Sequence, residues 1–237
     1  MKYQFVKMEY GPIRIFKLPE PDMLYTMGTD ASTGLANDFS VSQILTNTIP
    51  FEQVAIFRGK LPVNKVTEYV DALGRFYNEA LNVCEVNYPG NSVQDALLQF
   101  YHYPRNYQAE QHLDDDPDVS HKYGFRTTES SKWMLIHQTQ MALQSNELRV
   151  SDPVTLSEMS NYVYQTQKKQ AGGAPGFTDD CVMALMLALH GAKLFPIVRQ
   201  VAEPKKKIIL DADTESDWKN FRRKLSLIGT SKEGIVV

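Results

Sequence analysis

Four acidic residues stand where a carboxylate is unusual or doubled. Asp30 closes a β-rich apolar run, Glu85 lies inside the short run VCEVN, and Asp179 and Asp180 open a long apolar segment. A carboxylate in an apolar strand is costly to bury unless it is paired, hydrogen-bonded or bound to a metal. Taken singly, each has a structural explanation. Glu85 could face water from an edge strand, Asp30 could close a turn near Gly28 and Gly34, and Asp179-Asp180 could cap a helix whose dipole favours carboxylates by up to ~1 kcal/mol. Taken together, acids on adjacent strands and a facing helix start supply the hard oxygens that divalent cations need. Magnesium takes such oxygens in an octahedron and keeps several waters, leaving room for a phosphate. Two ions roughly 3.5–4 Å apart activate the attacking water and stabilise the leaving oxygen of a phosphodiester, so no protein nucleophile is required. Adjacent helical residues point about 100° apart, so Asp179 and Asp180 cannot face Asp30 and Glu85 equally.

Those acids need elements to carry them. Leu24–Thr29, the turn STGLAND and a second run, Phe39–Leu45, make a hairpin signal. Val54–Leu61 alternates as a third strand, and Pro62 stands as a first helical residue, where its fixed φ and missing N–H are harmless. Val63, Val66, Val70, Leu73, Tyr77 and Ala80 then recur at spacings of three and four, forming one apolar helix face. Val83–Asn87 predicts a strand holding Glu85, and Ser92–Phe100 a helix opened by a Ser92–Asp95 capping box. Asn106–His112 is a candidate fifth strand, followed by a polar acidic loop to about Thr127. Glu129–Gln144 predicts a helix with Trp133, His137, Met141 and Gln144 down one side. A Thr155–Glu158 capping box opens another, reaching about Gln167. After the Gly/Pro-rich loop Ala171–Gly176, Thr178 is placed to cap a helix that is apolar all round from Cys181 to Leu189 and so belongs in the middle of the fold. This order predicts a mixed α/β domain over residues 1–200, its central sheet covered by helices on both faces. Residues 201–237, with KKKIIL and SDWKNFRRK, have the character of an appendage.

The chain's 237 residues, 43% hydrophobic and 22% charged, suffice for a core without disulfides or structural metal, and exclude disorder as the dominant state. The apolar run Cys181–Leu189 is about half the ~20 residues of a membrane span, and nothing in MKYQFVKMEY marks a secretory signal. Cys84 and Cys181 form no CxxC, which fits a reducing cytoplasm. Twenty-five basic against 28 acidic residues argue against a uniformly basic nucleic-acid-binding surface but leave room for a local groove. Lys132, Arg126 and Lys122, with Lys168 and Lys169, are the candidates to line one; a solvated surface is the alternative. There is no G-x-S-x-G, no G-x-G-x-x-G and no G-x-x-x-x-G-K-[ST].

At these residues the chain resembles the C-terminal nuclease domain of bacteriophage large terminases, a ribonuclease-H-like fold. YTMGTDASTGLANDFSV is similar to the family's first strand and hairpin, with Asp30 at its first catalytic acid. NEALNVCEVNYPG is similar to its second acidic strand, with Glu85 at the acid. KYGFRTTESSKWMLIHQTQMAL, carrying Lys132, resembles the segment before a helix, and FTDDCVMALMLAL resembles the last motif, an Asp pair opening a buried helix. The resemblance runs from about Leu24 to Ala192. It implies catalytic and metal-binding roles for Asp30, Glu85, Asp179 and Asp180, with two divalent ions, Mg²⁺ or Mn²⁺. It also implies endonucleolytic cutting of concatemeric double-stranded DNA during genome packaging, in the host cytoplasm and transiently at the procapsid portal vertex. The implied partners are DNA, a packaging ATPase domain absent from this chain, the portal protein and the small terminase subunit, with no membrane. The alternatives are a Holliday-junction resolvase of the same fold and an inactive docking module of the packaging machine.

Overall fold

The computed structural model describes residues 3, 5–34, 38–109, 123–166 and 169–194. Period-two sequence in the first half builds a sheet from β1 (Ile13–Ile15), β2 (Tyr25–Asp30), β3 (Ser40–Thr46), β4 (Phe51–Gly59) and β5 (Leu81–Cys84). The strands lie in the order β1-β4-β3-β2-β5, and β6 (Leu148–Arg149) pairs with β4. β2, β3 and β4 form an antiparallel meander, while β5 runs parallel to β2.

Alternation along β2 assigns its two faces. Tyr25 and Met27 enter a core with Val66, Val70 and Leu73 of α1 (Val63–Phe76) and with Val93 and Leu97 of α2 (Gly90–Gln99). Thr26 and Gly28 point the other way, toward α5 (Asp180–Leu194). Every residue of α5 from Cys181 to Ala192 is buried, as its all-round apolar sequence requires. Its Leu side chains each contribute roughly 1.5–3 kcal/mol of burial. α3 (Glu129–Gln144) and α4 (Pro153–Ser160) pack against its outer side, and β7 (Tyr162–Gln165) with β8 (Gln170–Gly173) forms a separate antiparallel hairpin.

Glycine sets how close α5 comes to the sheet. A Cβ on Gly28 would lie 2.1 Å from the Ala184 carbonyl oxygen and 2.3 Å from the Ala188 nitrogen, so helix backbone rests directly on strand backbone. Further along, Gly191 lies against the side chains of Thr26 and Val83. The helix therefore runs antiparallel to β2, and Asp30, two residues past Gly28 on the same face, comes to the helix N-terminus.

Several elements differ from expectation for local reasons. β1 is a three-residue edge strand, too short to show a pattern. β4 starts at Phe51 rather than Val54, and Pro62 is the N-cap of α1 rather than its first residue. α2 starts at Gly90 with no side-chain cap, so the Ser92–Asp95 box does not form. Asn106 and Gln108 make only isolated bridges, to Asn82 and Tyr123, in place of a fifth strand; residues 110–122 of that stretch and of the acidic loop lie outside the described residues. α3 has its expected bounds but buries Leu135, Ile136, Thr139 and Ala142, leaving Trp133 and Met141 exposed. α4 is capped by Asp152, whose Oδ2 accepts from the Thr155 N–H and hydroxyl at 2.8 Å each. It ends at Ser160 because the aromatic and β-branched Tyr162–Gln165 pairs with β8, which takes up the start of the expected Gly/Pro loop. Residues 201–237 and the boundary near 200 lie outside the described residues.

Candidate active site

Parallel pairing of β2 and β5 brings Asp30 and Glu85 to one edge. The Glu85 N–H donates to the Thr29 carbonyl at 2.9 Å, and the Val86 N–H to that of Phe125 at 2.9 Å. Glu85 thus sits just past β5, which is Leu81–Cys84, rather than in the middle of a strand. Its carboxyl lies beside that of Asp30. Burial, the charge and hydrogen bond of Glu85, and the charges of Asp180 and Asp179 hold the Asp30 carboxyl well above the usual carboxylate range.

The start of α5 is held by two other elements. Glu158 of α4 accepts from the Thr178 hydroxyl and from the Cys181 N–H at 2.8 Å each, and Arg58 Nη2 lies 3.9 Å from the same carboxylate. Thr178 therefore donates to Glu158 instead of capping the helix. Gln43 of β3 donates to the Cys181 carbonyl at 2.6 Å. Glu158 is the site residue that sequence reasoning assigned elsewhere, to a local box with Thr155; its contacts span 20 and 23 residues and carry no local signal.

Held this way, Asp179 and Asp180 diverge. Asp180 Oδ2 accepts from the Phe39 N–H at 3.0 Å. Burial pushes the Asp180 carboxyl up to about 6; the Phe39 bond opposes the rise, and the charges of Glu158, Asp38 and Asp179 add to it. Asp179 Oδ2 instead lies 3.7 Å from Lys132 Nζ. It faces a cavity of about 640 Å³ lined also by Glu85, Thr127, Lys132, Trp133 and Lys169. Lys132 is placed by the start of α3, where Thr128 and Ser131 form a reciprocal capping box and Asn87 donates to the Thr127 carbonyl at 2.9 Å. Arg126 is exposed and lines a neighbouring cleft with Tyr88, Asn91 and Gln94. Lys122 lies outside the described residues.

All four expected acids thus gather where β2 and β5 end and α5 begins. Among the described residues, no three His, Cys, Asp or Glu side chains stand close enough, as they are turned, to hold a metal ion. The donor set nevertheless suits one. Its oxygens are hard carboxylates, and the Lys132 side chain beside Asp179 puts positive charge where a divalent ion would. Among the described residues, no helix is long and apolar enough to cross a membrane.

Sheet order, acidic edge and buried helix define a ribonuclease-H-like α/β fold. Among solved structures, the chain is similar to the large terminase nuclease of thermophilic phage G20c with bound cobalt, at a TM-score of 0.60 and 20% identity, over 77% of this chain and 89% of that one. The magnesium-bound form of the same nuclease gives 0.60 and 19%, over 77% and 89%. The nuclease domain of a Thermus phage large terminase gives 0.56 and 18%, over 76% and 86%. No family model and no curated protein matches the chain. The chain has the fold of phage large terminase nuclease domains.

Proposed function

We propose that the chain is a metal-dependent DNA endonuclease domain of a phage large terminase, cutting concatemeric double-stranded DNA during genome packaging. The observation that carries this is the gathering of Asp30, Glu85, Asp179 and Asp180 at one sheet edge under the start of α5. Support comes from the G20c nuclease, of the same fold, which has been captured with cobalt, magnesium or zinc. Asp30, Glu85, Asp179 and Asp180 would hold two divalent ions, Mg²⁺ or Mn²⁺, whose chemistry is to generate the nucleophile from water and neutralise phosphate charge. Lys132 adds a fixed positive charge for a phosphate. Glu158 and Gln43 keep the start of α5 in place. The partners proposed with this function are double-stranded DNA, a packaging ATPase domain, the portal protein and the small terminase subunit. The place of action is the host cytoplasm and, transiently, the procapsid portal vertex.

Incubation of plasmid DNA and of a four-way junction with Mg²⁺, Mn²⁺, Ca²⁺ or a chelator tests the proposal. Nicking and linearisation of plasmid in Mg²⁺ or Mn²⁺, little cutting in Ca²⁺ and none in chelator are expected. Cutting confined to the junction would make the chain a resolvase, and no cutting under any condition would overturn the enzyme.

A further inference from the structure

Beside the carboxylates, the cavity wall carries a feature that metal chemistry leaves unused. Trp133, next to Lys132 in the first turns of α3, is 45% exposed, and Tyr164 of β7 is 50% exposed. Their ring centroids lie 5.9 Å apart with the planes inclined by 32°. Leu135 and Ile136 already fill the core beneath α3, so Trp133 is not needed there. Large aromatic side chains gain most from burial, and two left open as a pair call for something to cover them.

Two cations line the cavity that Trp133 lines. Lys132 Nζ lies 3.7 Å from Asp179 and 5.9 Å from the centre of the Tyr162 ring, and Lys169, from the β7–β8 turn, lines the same cavity. Tyr162 and Tyr164, two residues apart on β7, share one side of the hairpin, the side turned to α3. Aromatic faces between lysines, continuous with an acidic metal-type site, complement a polyanion whose bases are free to stack. Base–aromatic stacking tolerates any sequence but requires a base face that duplex DNA does not offer.

We propose that Trp133 and Tyr164 form a stacking platform for an unpaired base of the strand whose phosphate lies at the carboxylates, with Lys132 and Lys169 holding the adjoining phosphates. The platform rests on the nuclease proposed above and narrows its substrate: DNA frayed or unpaired at the cut is engaged better than continuous duplex.

The test uses the full chain, a fluorescein-labelled oligo-dT and a blunt duplex of equal length, in Ca²⁺. Affinity is read by anisotropy. Trp133 emission is read in a Trp218→Phe background, since the chain has two tryptophans. Oligo-dT should quench Trp133. Trp133→Ala and Tyr164→Ala should each weaken oligo-dT binding about tenfold, as loss of one base stack does, and leave duplex affinity and melting temperature nearly unchanged. Trp133→Phe should retain most of the affinity. Absence of quenching, equal weakening on both DNAs, or weakening on neither would overturn the platform. Failure of the nuclease itself shows separately, as a parent that does not nick plasmid in Mg²⁺ or Mn²⁺.

Discussion

Lys132 Nζ lies 3.7 Å from Asp179 Oδ2, joining the first turn of α3 to the residue just ahead of α5. The contact draws Asp179 toward the Glu85 cavity while Asp180 turns to the Phe39 N–H. The neighbouring acids are thereby divided between two surroundings, Asp180 as the first residue of α5 and Asp179 just outside it. In the proposed nuclease, Lys132 would meet a phosphate arriving at Asp179 and Glu85.

Lys132→Ala should change stability by at most about 1 kcal/mol, the range for a partly exposed pair. Its effect on DNA should be larger. The slope of log affinity against log salt should fall by about one, the signature of one lost phosphate contact. Titrations at several salt concentrations measure it, and an unchanged slope would return Lys132 to a purely local partnership with Asp179.

The metal-free protein should become more stable as pH falls from neutral. The Asp30 and Asp180 carboxyls both sit above their ordinary range, Asp180 at about 6. A raised folded pKa stabilises fully below the unfolded value, near pH 4, and that contribution is lost as pH rises through the folded value. Buried His190, whose pKa is lowered, works in the opposite direction, its contribution being lost as pH falls. Melts in chelator from about pH 4 to 8, comparing parent with Asp30→Asn, separate the two. The variant should melt higher than the parent near pH 7 and show a flatter profile. A lower melting temperature for Asp30→Asn at neutral pH would contradict the crowding of carboxylates.

Gly28→Ala should destabilise by about 3 kcal/mol or more, at or above the upper end of overpacking costs. Its Cβ would meet helix backbone at 2.1 and 2.3 Å, and backbone cannot swing aside as a side chain can. Chemical denaturation measures the loss. A near-neutral result would mean that α5 does not rest on β2 as described.

Much of this arrangement is legible in the sequence, and the exceptions share a cause. The β2–β3 hairpin, the α1 face and the buried α5 follow from short-range periodicity, and all four acids come to one edge. What short windows cannot carry is partnership across the chain. Thr155 and Glu158 have the spacing of a capping box, yet Asp152 caps α4 and Glu158 caps α5. Trp133 has the spacing of a helix face, but Leu135 and Ile136 occupy the core. Gly28 is an ordinary member of the Leu24–Thr29 run; only the helix crossing it reveals why a side chain is excluded there.

Glu158→Ala should cost about 1–3 kcal/mol by leaving the Cys181 N–H and the Thr178 hydroxyl without their acceptor. Cleavage should fall roughly 10–100-fold, as when a group that orients metal ligands is removed. Glu158→Gln keeps one carbonyl acceptor and should recover part of both losses. Parental cleavage by Glu158→Ala, with the fold intact, would detach α4 from the site.

The most direct measurement is Asp30→Asn assayed beside the parent for plasmid cleavage and for thermal stabilisation by Mg²⁺ or Mn²⁺. The parent should cut only with the metal, and metal at a hundredfold excess over its dissociation constant should stabilise it by about 2.7 kcal/mol. The folded variant should cut no DNA and lose that stabilisation. Cleavage at the parental rate by Asp30→Asn, or full parental cleavage in excess chelator, would contradict a carboxylate-held metal centre at the end of β2.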